Sequence, residues 1–193
     1  MNGPRRHSWV SSLARPFAAA LAAFVGAAGA SWIAWRASRL RRHARPLTDS
    51  ERARHAAHLS QALLESVRVA RVPTVRLGRL AAIAASLFPR VLARPVGIAL
   101  ADLVVLGAGA DHPADHDADP RAVLFHELVH VAQFRILGVP GFCHAYIRGW
   151  ALARCCYADI PLERDAYELQ AWFLAGRAFA AEAEVARRIA SRR

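Results

Sequence analysis

The chain has 193 residues, enough for one domain and a short extra segment. Its formal net charge is +11, and all 26 basic residues are arginine. The arginines are scattered and no helix-turn-helix, RNA-recognition or zinc-finger signature accompanies them, so no specific nucleic-acid partner is expected. Three cysteines, Cys143, Cys155 and Cys156, make an odd count with one adjacent pair, which excludes a disulfide framework and matches no zinc ribbon.

Residues 17–35, FAAALAAFVGAAGASWIAW, carry no charge and are about as long as a hydrocarbon core is thick. Arg15 and Arg36 flank the run, and Trp32 and Trp35 stand where indole rings favour a membrane interface. The expected organisation is therefore an N-terminal anchor over 1–45 and a domain over 46–193. A cleaved signal peptide ending near the small residues at 28–30, which would export the protein, and a hydrophobic helix buried in a soluble fold are the alternatives. Five arginines between Arg36 and Arg45 suit an anionic membrane surface and orient the domain towards the cytoplasm.

Thr48 and Glu51 have the spacing of a capping box. A helix is expected from there to about Glu65. Leu59, Leu63, Leu64 and Val67 form its apolar side, with Arg52, Arg54 and His55 exposed and His55 and His58 at the surface. Residues 67–77 alternate enough for a half-buried strand that Pro73 ends or pushes to an edge. A short helix is expected over 80–88 and a strand over 95–106, interrupted by Gly97 and Asp102. Residues 111–120 contain His112, Asp111, Asp115, His116 and Asp117. They read as a turn-rich loop without the ligand spacing of a calcium site.

The stretch DPRAVLFHELVHVAQFRILG, 119–138, is the most informative. Asp119 and Pro120 are a helix start, and Gly138 followed by Pro140 is a stop. Within that helix His126 and His130 are one turn apart and project together, as two ligands of one metal ion must. Glu127 lies about 100° round the helix. There a carboxylate can take a proton from metal-activated water. This H-E-x-x-H pattern makes His126 and His130 candidate zinc ligands and Glu127 the candidate general base.

A catalytic zinc normally has three protein ligands. A third histidine ten residues after the first is ruled out, because Ile136 stands there. A carboxylate on another helix is the remaining source. DIPLERDAYELQAW, 159–172, starts a helix at Pro161 and puts Glu163 in its first turn. Glu168 and His144 are the alternatives. Tyr146, Tyr157 or His144 are candidates to stabilise an oxyanion, and Gln133, one turn past His130, to orient a ligand.

HELVHVAQFRILG followed by IPLERDAY resembles zincin metallopeptidases of the gluzincin type, and more narrowly small bacterial metallopeptidases with H-E-L-x-H-V-x-Q. The resemblance spans about residues 95–175. It implies Zn2+ on His126, His130 and Glu163, Glu127 as base, a peptide or protein substrate, and residues 95–106 as the strand that aligns it. Larger gluzincins often carry an acidic residue four positions after the ligand glutamate, where this chain has Tyr167. The activity implied is hydrolysis of peptide bonds; a metal-binding or assembly module without turnover is the alternative.

From Glu168 to the end the chain reads as one long alanine-rich helix, with Trp172, Phe173, Phe179 and Val185 packing inward. The expected fold is α+β and mostly helical: a zincin-like domain, with a short sheet beside the H-E-x-x-H helix, behind an N-terminal hydrophobic helix.

Overall fold

The computed structural model describes residues 26–75, 96–108, 120–153 and 156–192. Helix α1 occupies 26–41. Strand β1 (Arg45–Pro46), helices α2 (Asp49–His55) and α3 (Gln61–Ser66), and strands β2 (Arg68–Val72), β3 (Gly97–Leu100) and β4 (Leu103–Gly107) follow. Helix α4 (Pro120–Leu152), a short 3-10 turn (Tyr157–Asp159), α5 (Pro161–Leu174) and α6 (Ala181–Ala190) complete the chain order. The fold is α+β and mostly helical, with one mixed four-stranded sheet ordered β1-β2-β4-β3. The expected helix over 80–88, the loop at 111–119 and the first part of the apolar run, 17–25, lie outside the described residues.

Helix α4 is the centre of the molecule. Residues 124–134 are all buried, the pattern of a helix covered on every side. Strands β3 and β4 pack on it from one side, and α5 and α6 from others. Gly138 has φ 67° and ψ 163°, so the helix stops there as expected and restarts. The second half of α4, after the kink, was not expected. Among the described residues Arg121–Leu152 alone is long and apolar enough to cross a membrane, and 67% of its apolar window is buried inside the fold.

The capping box forms: Thr48 accepts from the Glu51 N–H and Glu51 accepts from the Thr48 N–H. The helix it starts is shorter than expected. It ends at His55, a turn follows, and Ser60 caps a separate helix by accepting from the Leu63 N–H. Helix α6 docks on this turn, its Ala181 N–H donating to the His58 carbonyl at 2.8 Å. Strand β2 stops at Val72, just before Pro73. The expected strand over 95–106 is a hairpin instead. Ala101 takes φ 61° at the first of two turn residues, the sign a tight hairpin turn needs. Asp102, the other turn residue, holds Arg41 of α1 through two hydrogen bonds, at 2.6 and 3.0 Å.

The long C-terminal helix is also two. Gly176 has φ 65°, the Arg177 N–H bonds the Trp172 carbonyl and the Gly176 N–H bonds the Phe173 carbonyl. That is a Schellman ending. Helix α6 is clamped back onto α5 by buried Asp165, which accepts from Arg188 at 3.1 Å and from Arg192 at 2.5 and 2.6 Å.

Helix α1 packs on the domain. Ile33 and Ala37 are buried in the same cluster as Leu63, Val104 and Phe125. Within the basic flank Arg41 is pinned to Asp102 and Arg45 to Glu51.

His55 is buried, not exposed, in a cluster of rings that includes Phe125 and Phe173, and neither of its nitrogens has a hydrogen-bond partner. His58 is half-buried on Phe179. Burial, helped by the charge of Arg54, pushes the His55 imidazole down to about 4. An unfolded histidine titrates near 6.5, so between about pH 6.5 and 4 the unfolded chain binds a proton that the folded chain does not. Stability is complete above that window and is lost through it on acidification, by about 3 kcal/mol. His55→Phe keeps a ring in the cluster and removes the titration. Urea unfolding at about pH 7 and about pH 4.5 should show a loss on acidification smaller than in the parent protein by about 2 kcal/mol.

Candidate metal centre

The three side chains of the expected ligand set meet. His126 and His130 come from one face of α4, and Glu163 from the first turn of α5, which packs across it. The His126 Nε2 is 3.1 Å from the His130 Nε2 and 3.2 Å from the Glu163 Oε2, and the His130 Nε2 is 3.4 Å from that same oxygen. All three side chains are buried.

The outer nitrogens decide what faces inward. The His130 Nδ1 is 2.8 Å from the Gln133 Oε1, and the Gln133 amide nitrogen donates to the Leu162 carbonyl at 2.9 Å. That carbonyl fixes the amide, so its oxygen can only accept and the His130 Nδ1 must donate. The His126 Nδ1 in turn donates to the Gln170 Oε1 at 3.0 Å. A neutral imidazole that donates from Nδ1 has a lone pair on Nε2. With both rings neutral, two lone pairs and a carboxylate oxygen therefore point at one spot. Only a positive charge satisfies that arrangement. A metal with bonds of about 2.0–2.2 Å holds three corners of a tetrahedron about 3.3–3.6 Å apart, a little wider than the three distances found. The group could hold a metal ion.

The electrostatics agree. Burial alone would lower the His130 imidazole, but the charge and hydrogen bond of Glu163 outweigh it and raise the ring to about 9. Burial alone would raise Glu163, but His130 and His126 hold its carboxyl well below the usual carboxylate range. Without a metal the cluster would thus keep a proton where the cation belongs.

Glu127 lies beside the cluster. Burial pushes its carboxyl up, while the two histidines pull it down and the backbone of Ala99 hydrogen-bonds it. Its Oε2 is buried with no hydrogen-bond partner. Glycine at position 97 leaves room for it: a Cβ there would lie 2.7 Å from the Glu127 Oε1. The same strand is a sheet edge. The Val96 carbonyl accepts from the Gly107 N–H of β4 at 2.8 Å. Alternate residues of a strand turn opposite ways, so Gly97 and Ala99 turn their backbone groups away from β4 and towards Glu127.

The other candidates fall elsewhere. Glu168 is half-exposed and bonds Arg188 at 2.5 Å, so it is no ligand. His144 is exposed on the second half of α4 and takes no part in the cluster. Tyr146, considered for an oxyanion, donates to the Glu163 Oε1 at 2.7 Å and holds the carboxylate instead. Tyr157 lies close to both, and burial together with the Glu163 charge raises both phenols. Tyr167 stands four residues after Glu163 and lays its ring 4.5 Å from that of His126, centre to centre.

No family model matches the chain. Neither a curated protein nor a solved structure matches it. The reading of the site rests on its own geometry.

Gln170 was missed in the sequence. It lies seven positions after Glu163, which puts it on the same face of α5 two turns on. Partners of this kind orient ligands and tune their basicity, and their loss typically costs about 10–100-fold in metal affinity. Gln170→Ala should weaken divalent-metal binding by about that factor, measured by competition titration against a chelating dye, with little change in thermal stability.

Proposed function

We propose that the chain is a zinc-dependent metallopeptidase of the zincin type, hydrolysing peptide bonds with His126, His130 and Glu163 as zinc ligands and Glu127 as general base. One observation carries this reading: two histidine lone pairs and a carboxylate oxygen converge at 3.1–3.4 Å beside a buried, unpartnered carboxylate. The donor set of two imidazoles and one carboxylate suits zinc and leaves a fourth position for water or substrate.

Zinc in this position would polarise a substrate carbonyl and make water acidic enough to be deprotonated near neutrality. The protein's own residues do the rest. Glu127 takes the proton from the attacking water and hands it to the leaving amine. Its raised pKa suits both tasks, because a carboxyl lifted by burial takes up the proton more readily and can still release it. Gln170 and Gln133 fix the histidine tautomers. Tyr146 holds the Glu163 oxygen that faces away from the histidines. The outward groups of β3 offer an extended peptide a row of backbone partners next to Glu127, as strand addition requires.

For location we propose a membrane anchor in the uncharged N-terminal run, whose part from residue 26 onwards packs on the domain, with the basic Arg36–Arg45 segment facing anionic headgroups and the domain on the cytoplasmic side. Alkaline washing of membranes should leave the protein in the pellet; release into the supernatant would exclude an anchor.

Purified protein should contain about one equivalent of zinc by elemental analysis. His130→Ala should lose it. Glu127→Gln should keep it and cleave no peptide. Gly97→Ala should also keep it while losing roughly a hundredfold in rate, because the added methyl displaces the base by about an ångström. Zinc retained in a parent protein that cleaves nothing would favour the metal-binding module without turnover. Metal-free protein would sink both.

A further inference from the structure

A cavity of about 260 Å³ opens beside Glu127 and His130. Its polar side chains are those of Glu127, His130, Glu163, Tyr146 and Tyr157. The remainder is mostly apolar. Phe134, Phe142 and Ile147 of α4 form one wall, and Trp32 and Ile33 of α1 form another. The strand β3 runs along it.

We infer that α1 belongs to the substrate site: Trp32 and Ile33 complete a pocket that receives a bulky apolar side chain of the peptide next to the bond being cut. The inference rests on the peptidase reading and adds the substrate class. A packed interior has few voids larger than a water molecule, so an apolar space of this size beside a reactive carboxylate is a place for something else. A polar side chain entering it would give up water and find no partner, whereas an apolar one gains from leaving water. A strand laid along β3 projects alternate side chains to opposite faces, and one of those faces is this cavity. The wall is built into the fold. Gly29 of α1 sits so close to α4 that a Cβ there would be 3.0 Å from the Cys143 Sγ. Trp32 follows three residues later on the same side of the helix. Arg41 then fastens the end of α1 to the hairpin that carries β3. Part of the uncharged N-terminal run thus forms a wall of the cleft.

Two small zinc chelators test this on the zinc-loaded full-length chain by calorimetry. Acetohydroxamic acid reaches the metal alone. Hexanohydroxamic acid adds four methylenes, and full burial of these should tighten binding roughly a hundredfold. The parent protein should show an advantage of at least about tenfold for the longer acid. Trp32→Ala should cut that advantage severalfold without changing zinc content, and Trp32→Leu, which restores an apolar wall, should recover most of it. Equal affinities for the two acids on zinc-loaded protein would overturn the pocket while leaving the peptidase reading intact. An advantage unchanged in Trp32→Ala would overturn the role of α1. Failure to take up zinc, read by elemental analysis beforehand, would overturn the peptidase reading and this inference with it.

Discussion

Three acceptors facing one another in a buried place is the constraint on which the rest of the structure depends. Left alone, the His126 and His130 lone pairs and the Glu163 carboxylate repel one another, and each has lost its water. The fold holds them together because every outer contact is satisfied. Gln133 ties His130 to the backbone of α5, Gln170 ties His126 to the same helix, and Tyr146 ties Glu163 back to α4. The α4 and α5 packing is therefore one with the site: the hydrogen bonds that join the helices are the ones that aim the ligands. A cation, whether a metal or a proton, completes the arrangement.

Glu127 depends on a different neighbour. Its environment is made by β3, through the missing side chain of Gly97 and the backbone of Ala99. The candidate metal cluster belongs to two helices and Glu127 to a helix and a strand edge. In the proposed function the sheet would place a substrate against Glu127 without disturbing the ligands. This division explains why so small a domain, with a sheet of only short strands, still has room for a cleft.

The candidate cluster was legible in the sequence because helical spacing is a local rule. Two histidines four apart must share a face, and Asp119-Pro120 and Gly138 bound the helix that carries them. Glu163 was legible because Pro161 starts a helix just before it. What was not legible came from contacts between elements. The hairpin at Ala101–Asp102 reads as continuous strand because alanine, not glycine or asparagine, takes the positive φ. His55 looks like a surface residue on a charged helix, and only the stack of Phe125 and Phe173 buries it. Tyr146 follows an unexpected restart of α4, so no spacing in the chain links it to Glu163. Gln170 shares a face with Glu163, yet glutamine at that distance carries no signal until a histidine is seen opposite. The apolar run near the N-terminus matches a membrane anchor by composition. Its described part also has a second occupation, as packing for α4.

The separations along the chain add a consequence for how the molecule comes together. His126 and Glu163 are 37 residues apart and Tyr146 and Glu163 only 17, so the ligand cluster closes short loops. The contact of Gly29 with Cys143 closes one roughly three times longer than the first, which costs about 1 kcal/mol more in chain entropy. The helix pair that carries the candidate cluster is thus a local unit, and the N-terminal helix is the long-range piece laid onto it, so the ligands can come together before the wall does.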